Sequence, residues 1–223
     1  LMPVPMFLLM GEIFFHTGLA NKMFSAVDKL MGRIPARLSF VTVAGGTAFA
    51  TLSGSSLGAT ALLGSLMVPE MEKRGYKKHM SIGPILGTGG LAMLIPPSAL
   101  AVLLATLANL DVGKLLIAGV VPGLMLAGFY VILILGMCLW DPDAAPSYDV
   151  ENISWGKKMK LLIIDVLPMM SIVVGVILLI LNGWATPSES AAFGCLGVLG
   201  LAILYGKLTW DGFKNSVTGA LKV

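Results

Sequence analysis

The sequence predicts an all-α integral membrane protein, a bundle of several membrane-spanning helices that includes a re-entrant helical hairpin and a discontinuous helix. Three observations support this fold class. Of the 223 residues, 57% are hydrophobic and only 12% are charged, which is about half the charged fraction of soluble domains. Several stretches long enough to cross a bilayer carry no charge. Two of them are too long for one straight helix, and each is interrupted near its middle.

The composition argues against several other classes of protein. The net charge of +3 is too small and too scattered for a nucleic-acid binder. Cys138 and Cys195 lie in apolar stretches, so we expect neither a disulfide framework nor a cysteine-rich metal site. Residues 54–58 fit the G-x-S-x-G pattern of serine hydrolases, but the only later histidine is His79, in a basic loop. We therefore expect no enzyme, no cofactor and no nucleic-acid partner.

The candidate spans follow from the positions of the charges, since a spanning helix needs about 20 apolar residues. The first candidate is 3–20, which Glu12 interrupts. Five charge-free stretches of 32, 32, 26, 23 and 17 residues follow, at 38–69, 79–110, 115–140, 166–188 and 190–206. Two amphipathic segments between the spans are expected to form cytoplasmic helices, at 21–36 and from about Ser154 to 160.

The stretch 38–69 is predicted to be a re-entrant hairpin. As one straight helix it would be about 48 Å long, against a hydrocarbon core of about 30 Å. Both of its flanks are basic, and the positive-inside rule places both in the cytoplasm. Fourteen of the 15 Lys and Arg residues then lie inside, whereas a full crossing would divide them 10 to 5. The tip is expected at 53–56, Ser-Gly-Ser-Ser, where glycine permits the turn and a serine caps the returning helix.

The stretch 79–110 is predicted to be a discontinuous helix. Pro96 and Pro97 remove two backbone donors and clash with the preceding turn, and the residue before a proline is disfavoured in a helix. We expect one half at about 79–94, a short unwound link, and a second half from about Ser98 to 110.

Two breaks at similar depth predict one shared polar site, because irregular backbone in a bilayer must be buried in protein or line a water-filled cavity. The half-helices that start after Ser56 and at Ser98 would point their positive ends at this site and could hold a carboxylate. Carbonyls freed near 51–52 and 89–94, with hydroxyl groups, could coordinate Na⁺, a hard cation. The structural alternative is close packing by glycine and serine and a simple proline kink.

The sequence leaves the roles of two glutamates, Glu189 and Glu12, open. Thr186 and Glu189 are candidate binding residues, but they also fit an N-cap and its capping-box partner at a helix start. Glu12 is an ionisable residue in a membrane segment, which makes it a functional candidate, although near a bilayer boundary it could reach water.

Five motifs together resemble one known family. They are S-G-S-S at 53–56, P-x-M-x-K-R-G-Y at 69–76, G-T-G-G-L-x-x-L-I-P-P-S at 87–98, A-G-x-x-P-G at 118–123 and T-P-S-E-S-A-A at 186–192. In this order and spacing they resemble the large membrane subunit of TRAP (tripartite ATP-independent periplasmic) transporters. The last motif departs from the family's T-P-T-E-A-A-A at Ser188 and Ser190.

The resemblance implies half of an inverted-repeat fold that works as an elevator. Residues 1–37 would hold the first span and a connecting helix, and 38–110 part of the transport domain. Residues 111–160 would hold a span, a cytoplasmic loop and an interfacial helix, and 161–223 two further spans that open the second repeat. The chain starts at Leu1 rather than methionine, and we expect a fragment of a longer polypeptide.

The resemblance also implies a function, the Na⁺-driven import of organic acids such as C4-dicarboxylates or sialic acid by a multi-pass subunit of the bacterial inner membrane. The implied partners are a small membrane subunit, a periplasmic substrate-binding protein and membrane lipid. One Na⁺ site and one wall of the substrate site would be formed by Ser53, Gly54, Ser55, Ser56, Gly87, Thr88, Gly89, Gly90, Pro96, Pro97 and Ser98. The alternative is another ion-coupled anion transporter or channel subunit of inverted-repeat type.

Overall fold

The computed structural model describes residues 3–32, 34–146 and 153–221, without the side chains of Leu52 and Ser53. Within these ranges the chain forms eleven α-helices and no strand. The helices are α1 (Pro3–His16), α2 (Leu19–Met31), α3 (Arg37–Ser53), α4 (Ser56–Lys73), α5 (Lys78–Leu91), α6 (Ala99–Leu107), α7 (Val112–Trp140), α8 (Trp155–Leu161), α9 (Leu167–Leu181), α10 (Pro187–Leu204) and α11 (Trp210–Leu221). A 3₁₀ turn follows α7 at Pro142–Ala144.

Three helical segments are long and apolar enough to cross a membrane: α7, the segment Trp155–Leu181, and α10. The bent pair of α1 and α2 is a fourth candidate. The 29-residue α7 exposes apolar side chains such as Leu124, Phe129 and Ile132. A helix that is apolar around its whole circumference is typical of a membrane span. The all-α membrane fold predicted from the sequence is confirmed.

The first helix is shorter than predicted. Instead of continuing to residue 20, α1 ends at His16, and α2 leaves it at an angle of 67°. The Thr17 hydroxyl donates to the Ile13 carbonyl at 2.6 Å and closes the last turn. Gly18 then adopts a left-handed φ of 71°, a conformation that glycine enters without steric cost. The bend therefore has a local cause.

The hairpin break lies at the predicted position, since α3 ends at Ser53 and α4 begins at Ser56. Both arms pack against α5. The halves of the discontinuous helix are each shorter than expected. α5 stops at Leu91, before the prolines, because the chain turns over residues 92–95. α6 stops at Leu107, where Asn109 takes a left-handed φ of 54° and Leu110 N donates back to the Ala105 carbonyl at 2.8 Å.

The expected interfacial helix and the span after it are one continuous helix rather than two elements. A π-helical turn, Leu162–Val166, joins α8 to α9. Asp165 in this turn pairs with Lys22 of α2 at 3.0 Å, and the hydroxyl of Tyr205, the residue that follows α10, donates to the Ile164 carbonyl. The widened turn is therefore held by two neighbouring helices.

The buried core draws side chains from α1 to α7 and from α9 and α10. Between α1, α2 and α3 it contains an aromatic cluster in which Phe49 lies 5.9 Å from Phe14 and 6.5 Å from Phe24, measured between ring centroids. Arg37, which the sequence suggested only as a basic flank, is 2% exposed, and its Nε lies 2.9 Å from Asp28 Oδ1. This ion pair fixes the start of the hairpin to α2.

Candidate functional site

The hairpin tip consists of two residues that turn the chain between α3 and α4. Gly54 adopts a left-handed φ of 59°, and its N–H donates to the Ala50 carbonyl at 3.0 Å. Ser55 is extended, and its hydroxyl accepts from Gly58 N at 3.2 Å, which caps α4. The side chain of Ser53 lies outside the described part of the structure. The glycine turn and serine cap have the roles expected from the sequence.

The link between α5 and α6 is buried. Residues 95–98 are all buried, and the Pro96–Pro97 peptide bond is cis. The Ser98 hydroxyl donates to the Met93 carbonyl at 2.9 Å and accepts from Ala101 N at 3.2 Å. One side chain therefore closes the link and caps α6.

The tip and the link meet. A Cβ atom added to Gly54 would lie 3.2 Å from the Pro97 carbonyl oxygen and 3.5 Å from Ala99 N. The start of α6 thus lies beside the turn that precedes α4, so the positive ends of two helices approach one another. Gly54 at the tip and residues 95–98 of the link are buried, and irregular backbone in a membrane is tolerated where protein covers it.

The end of α5 packs against the first turns of α4. A Cβ on Gly89 would lie 2.0 Å from Thr60 Oγ1 and 3.4 Å from the Ser56 carbonyl oxygen. Thr88 is fully buried, and its hydroxyl donates to the Pro84 carbonyl at 2.5 Å. Sequence reasoning missed Thr60, although it lies one helical turn after Ser56 and so shares its face of α4.

Two of the predicted residues face elsewhere. A Cβ on Gly87 would lie 2.8 Å from the Tyr130 ring of α7, and one on Gly90 would meet no described atom within 4 Å. The carbonyls of Gly89 and Gly90, expected to be free, accept from Ala92 and Met93 at 3.4 and 3.1 Å. The carbonyl that faces the tip belongs to Pro97.

The link rests on α7. A Cβ on Gly119 would lie 2.2 Å from the Leu94 carbonyl oxygen, and one on Gly123 would lie 2.3 Å from Ile95 Cγ1. Gly119 and Gly123 of α7 therefore pack against an unwound segment rather than against a second regular helix. Small residues at this spacing are common where membrane helices pack closely, but the sequence does not indicate which segment they contact.

Two cavities border the tip. One, of about 500 Å³, is mainly apolar and includes Ser56, Leu57 and Leu100 in its lining. The other, of about 340 Å³, lies between α1 and α4 and includes Ser55 and Glu12. Among the residues that the structure describes, no group of three or more His, Cys, Asp or Glu side chains could hold a metal ion. Oxygen ligands for a cation at the tip would come from the backbone and from hydroxyl groups.

Thr186 and Glu189 form a capping box. Thr186 N donates to Glu189 Oε2 at 2.7 Å, and Glu189 N donates to Thr186 Oγ1 at 3.3 Å. Both side chains accept hydrogen bonds from backbone N–H groups at the start of α10. Neither side chain lines a cavity at the hairpin tip.

Comparison with known proteins agrees with this architecture. The family model described as "Tripartite ATP-independent periplasmic transporter, DctM component" matches residues 1–223. The C4-dicarboxylate TRAP transporter large permease protein of Pseudomonas aeruginosa is 37% identical over 134 residues, 60% of this chain and 31% of the relative. The ectoine TRAP transporter large permease protein of Halomonas elongata is 31% identical over 192 residues, 86% of this chain and 44% of the relative. The matched region spans between about a third and under half of these relatives.

Proposed function

This chain belongs to the family of TRAP transporter DctM components, and from that membership we propose that it forms part of a permease subunit that imports organic acids on a Na⁺ gradient. The relatives support the chemical class of the substrate, since they are named for C4-dicarboxylates, ectoine and 2,3-diketo-L-gulonate. Such transporters work with further subunits. We propose a small membrane subunit and a periplasmic substrate-binding protein as partners, in the bacterial inner membrane.

The contact between the hairpin tip and the broken helix carries the proposal. Gly54 lies against the Pro97 carbonyl, and the N-termini of α4 and α6 are beside this contact. Partial positive charge at helix N-termini favours a carboxylate, while a carbonyl and hydroxyl oxygens favour a hard cation. One small region thus offers groups of both kinds. Secondary transporters build midplane sites from discontinuous helices in this way.

We also propose that the subunit works as an elevator, as the resemblance to the family implies. The hairpin arms α3 and α4 pack on α5, and the link rests on α7. In the proposed cycle, the hairpin and the broken helix move together as a block that carries the substrate, while other helices stay fixed in the membrane.

The experiment is uptake by the whole transporter, with its partners, in proteoliposomes. We expect succinate, malate or aspartate to accumulate when the Na⁺ gradient is directed inward, and not when K⁺ replaces Na⁺. Equal accumulation with either cation would contradict Na⁺ coupling.

A substitution tests the location of the site. Pro97→Ala should impair uptake without preventing membrane insertion, because Pro97 shapes the link that faces the tip. Pro122→Ala is the matched control, since Pro122 is exposed within α7. Normal uptake by an inserted Pro97→Ala variant would show that the site lies elsewhere.

A further inference from the structure

The smaller cavity at the hairpin tip is bordered by an acidic residue that the proposed transport site does not use. This cavity, of about 340 Å³, runs between α1 and α4. Ser55 and Gly58 line it from the first turn of α4, Phe49 from α3, and Glu12 and Phe15 from α1. Glu12 is the one charged residue among the described residues that line it. Its side chain is 32% exposed.

The position of the Glu12 carboxylate depends on α11. A Cβ atom on Gly219 would lie 2.6 Å from Glu12 Oε2, so glycine at this position lets the carboxylate lie against α11, and a larger residue would displace it. Ser216, one turn earlier, has its hydroxyl 3.1 Å from the Glu12 carbonyl oxygen. Small residues of α11 therefore leave a niche for the acidic side chain.

A purely structural role explains only part of this arrangement. His16 Nε2 lies 3.2 Å from Glu12 Oε2, as an i, i+4 pair on α1. Such a pair stabilises a helix slightly, but it requires neither a cavity nor a niche on another helix. The cavity wall also contains Phe15 and Phe49, and beside such apolar groups a carboxylate gains from hydrogen bonds additional to the pair with His16. The site therefore suits a ligand that donates them.

We propose that Glu12 selects the substrate class: organic acids that carry a hydroxyl or ammonium donor on the carbon chain. This inference rests on the proposed function. The substrate carboxylate binds at the N-terminus of α4, beside Ser55, and the donor group extends along the cavity to Glu12. An acid without a donor offers the Glu12 carboxylate no hydrogen bond.

The test compares three four-carbon acids that differ by one group: succinate has no donor beyond its carboxyl groups, malate adds a hydroxyl and aspartate adds an ammonium. Uptake of each is measured in proteoliposomes that contain the whole transporter. We expect the wild type to prefer malate or aspartate over succinate. Glu12→Met removes the acceptor at nearly constant length and should lower that preference about tenfold, because hydrogen bonds to charged groups are among the stronger ones.

Three further variants separate this role from a structural one. Glu12→Asp keeps the carboxylate and should retain most of the preference. Gly219→Ala should reduce it without changing Glu12, because the added methyl displaces the carboxylate. Glu72→Met, at an exposed position near the end of α4, should leave it unchanged.

The two proposals fail in different ways. An unchanged preference in Glu12→Met, in vesicles that accumulate these acids on a Na⁺ gradient, overturns the role of Glu12. Wild-type vesicles that accumulate the acids equally well without Na⁺ contradict the proposed coupling, while the preference still reports on Glu12.

Discussion

Gly89→Ala tests the contact between α5 and the hairpin. The added Cβ would lie 2.0 Å from Thr60 Oγ1, 3.2 Å from Thr60 Cβ and 3.4 Å from the Ser56 carbonyl oxygen. Thr60 is β-branched, so its χ1 is restricted in a helix, and rotation of the side chain does not move the Cβ atom itself. Overpacking of this kind costs about 1–3 kcal/mol.

Gly90→Ala is the matched control. Both glycines lie in the last turn of α5, so each replacement gains a similar helix propensity, about 1 kcal/mol, and the two gains cancel in the comparison. A Cβ on Gly90 meets no described atom within 4 Å. The difference between the two variants therefore isolates the contact with Thr60, and we expect Gly89→Ala to be the less stable by about 1–3 kcal/mol.

The assay is thermal unfolding of the purified whole transporter, followed by tryptophan fluorescence, together with uptake in proteoliposomes. Gly89→Ala should lower the apparent unfolding temperature and the uptake rate, while Gly90→Ala changes neither downward. Adding Thr60→Ala to Gly89→Ala removes the hydroxyl in the contact and should restore part of the loss, a coupling expected only of residues in contact. Equal stability of the two single variants, or no coupling with Thr60→Ala, would refute this account of the packing.

Three more variants test other contacts. Ser98→Ala removes the α6 cap and leaves the Met93 carbonyl without its donor, which should cost about 1–3 kcal/mol in unfolding free energy; a neutral result would contradict the capping role. Gly123→Ala should weaken the contact between the link and α7 and slow uptake. Gly128→Ala should do neither, because a Cβ atom at residue 128 meets no described atom within 4 Å. Asp141→Asn tests the ion pair with Lys77, whose hydrogen bond holds the pKa of Asp141 below its ordinary value of 3.8. The pair's contribution is present above pH 3.8 and is lost as pH falls through the lowered pKa, so the variant should lose less stability on acidification; equal acid sensitivity would contradict this role.

The break points could be predicted because they are local in the sequence. The serines and glycine at 53–56 and the prolines at 96 and 97 constrain their own backbone, whatever surrounds them. The basic flanks on both sides favour a hairpin over a full crossing for the 32-residue stretch 38–69. The helix ends were predicted less well, since residues 92–95 form turns through hydrogen bonds among neighbours that composition alone does not indicate.

The partners of the small residues could not be predicted. Gly119 and Gly123 form a recognisable packing pair, but only the fold shows that Leu94 and Ile95 occupy it. Gly87 and Gly89 are two residues apart on a helix and so point to different sides, but only the fold shows that Tyr130 lies on one side and Thr60 on the other. Which helix lies on which side is a tertiary property, and a single sequence does not contain it.

The last helix was missed for a different reason. α11 has a polar composition with glycines at 212 and 219, which lower helix propensity. These glycines allow close approach to α1, where Gly212 faces the His16 carbonyl and Gly219 the Glu12 carboxylate. The glycines that lower the helix propensity of this segment are therefore the same residues that permit α11 to pack closely on α1.

The π-helical turn at Leu162–Val166 sets the rotational phase of a long segment. Each residue of an α-helix rotates the chain by about 100° about the helix axis. A π-helical turn holds one extra residue, so it rotates α8 relative to α9. The turn therefore sets the angle about the helix axis between the lysines of α8 and the face of α9 that contacts its neighbours. Removing a single residue from this turn would swing Lys157, Lys158 and Lys160 around the axis by about a quarter of a revolution, while the length of the span would change by only about 1.5 Å.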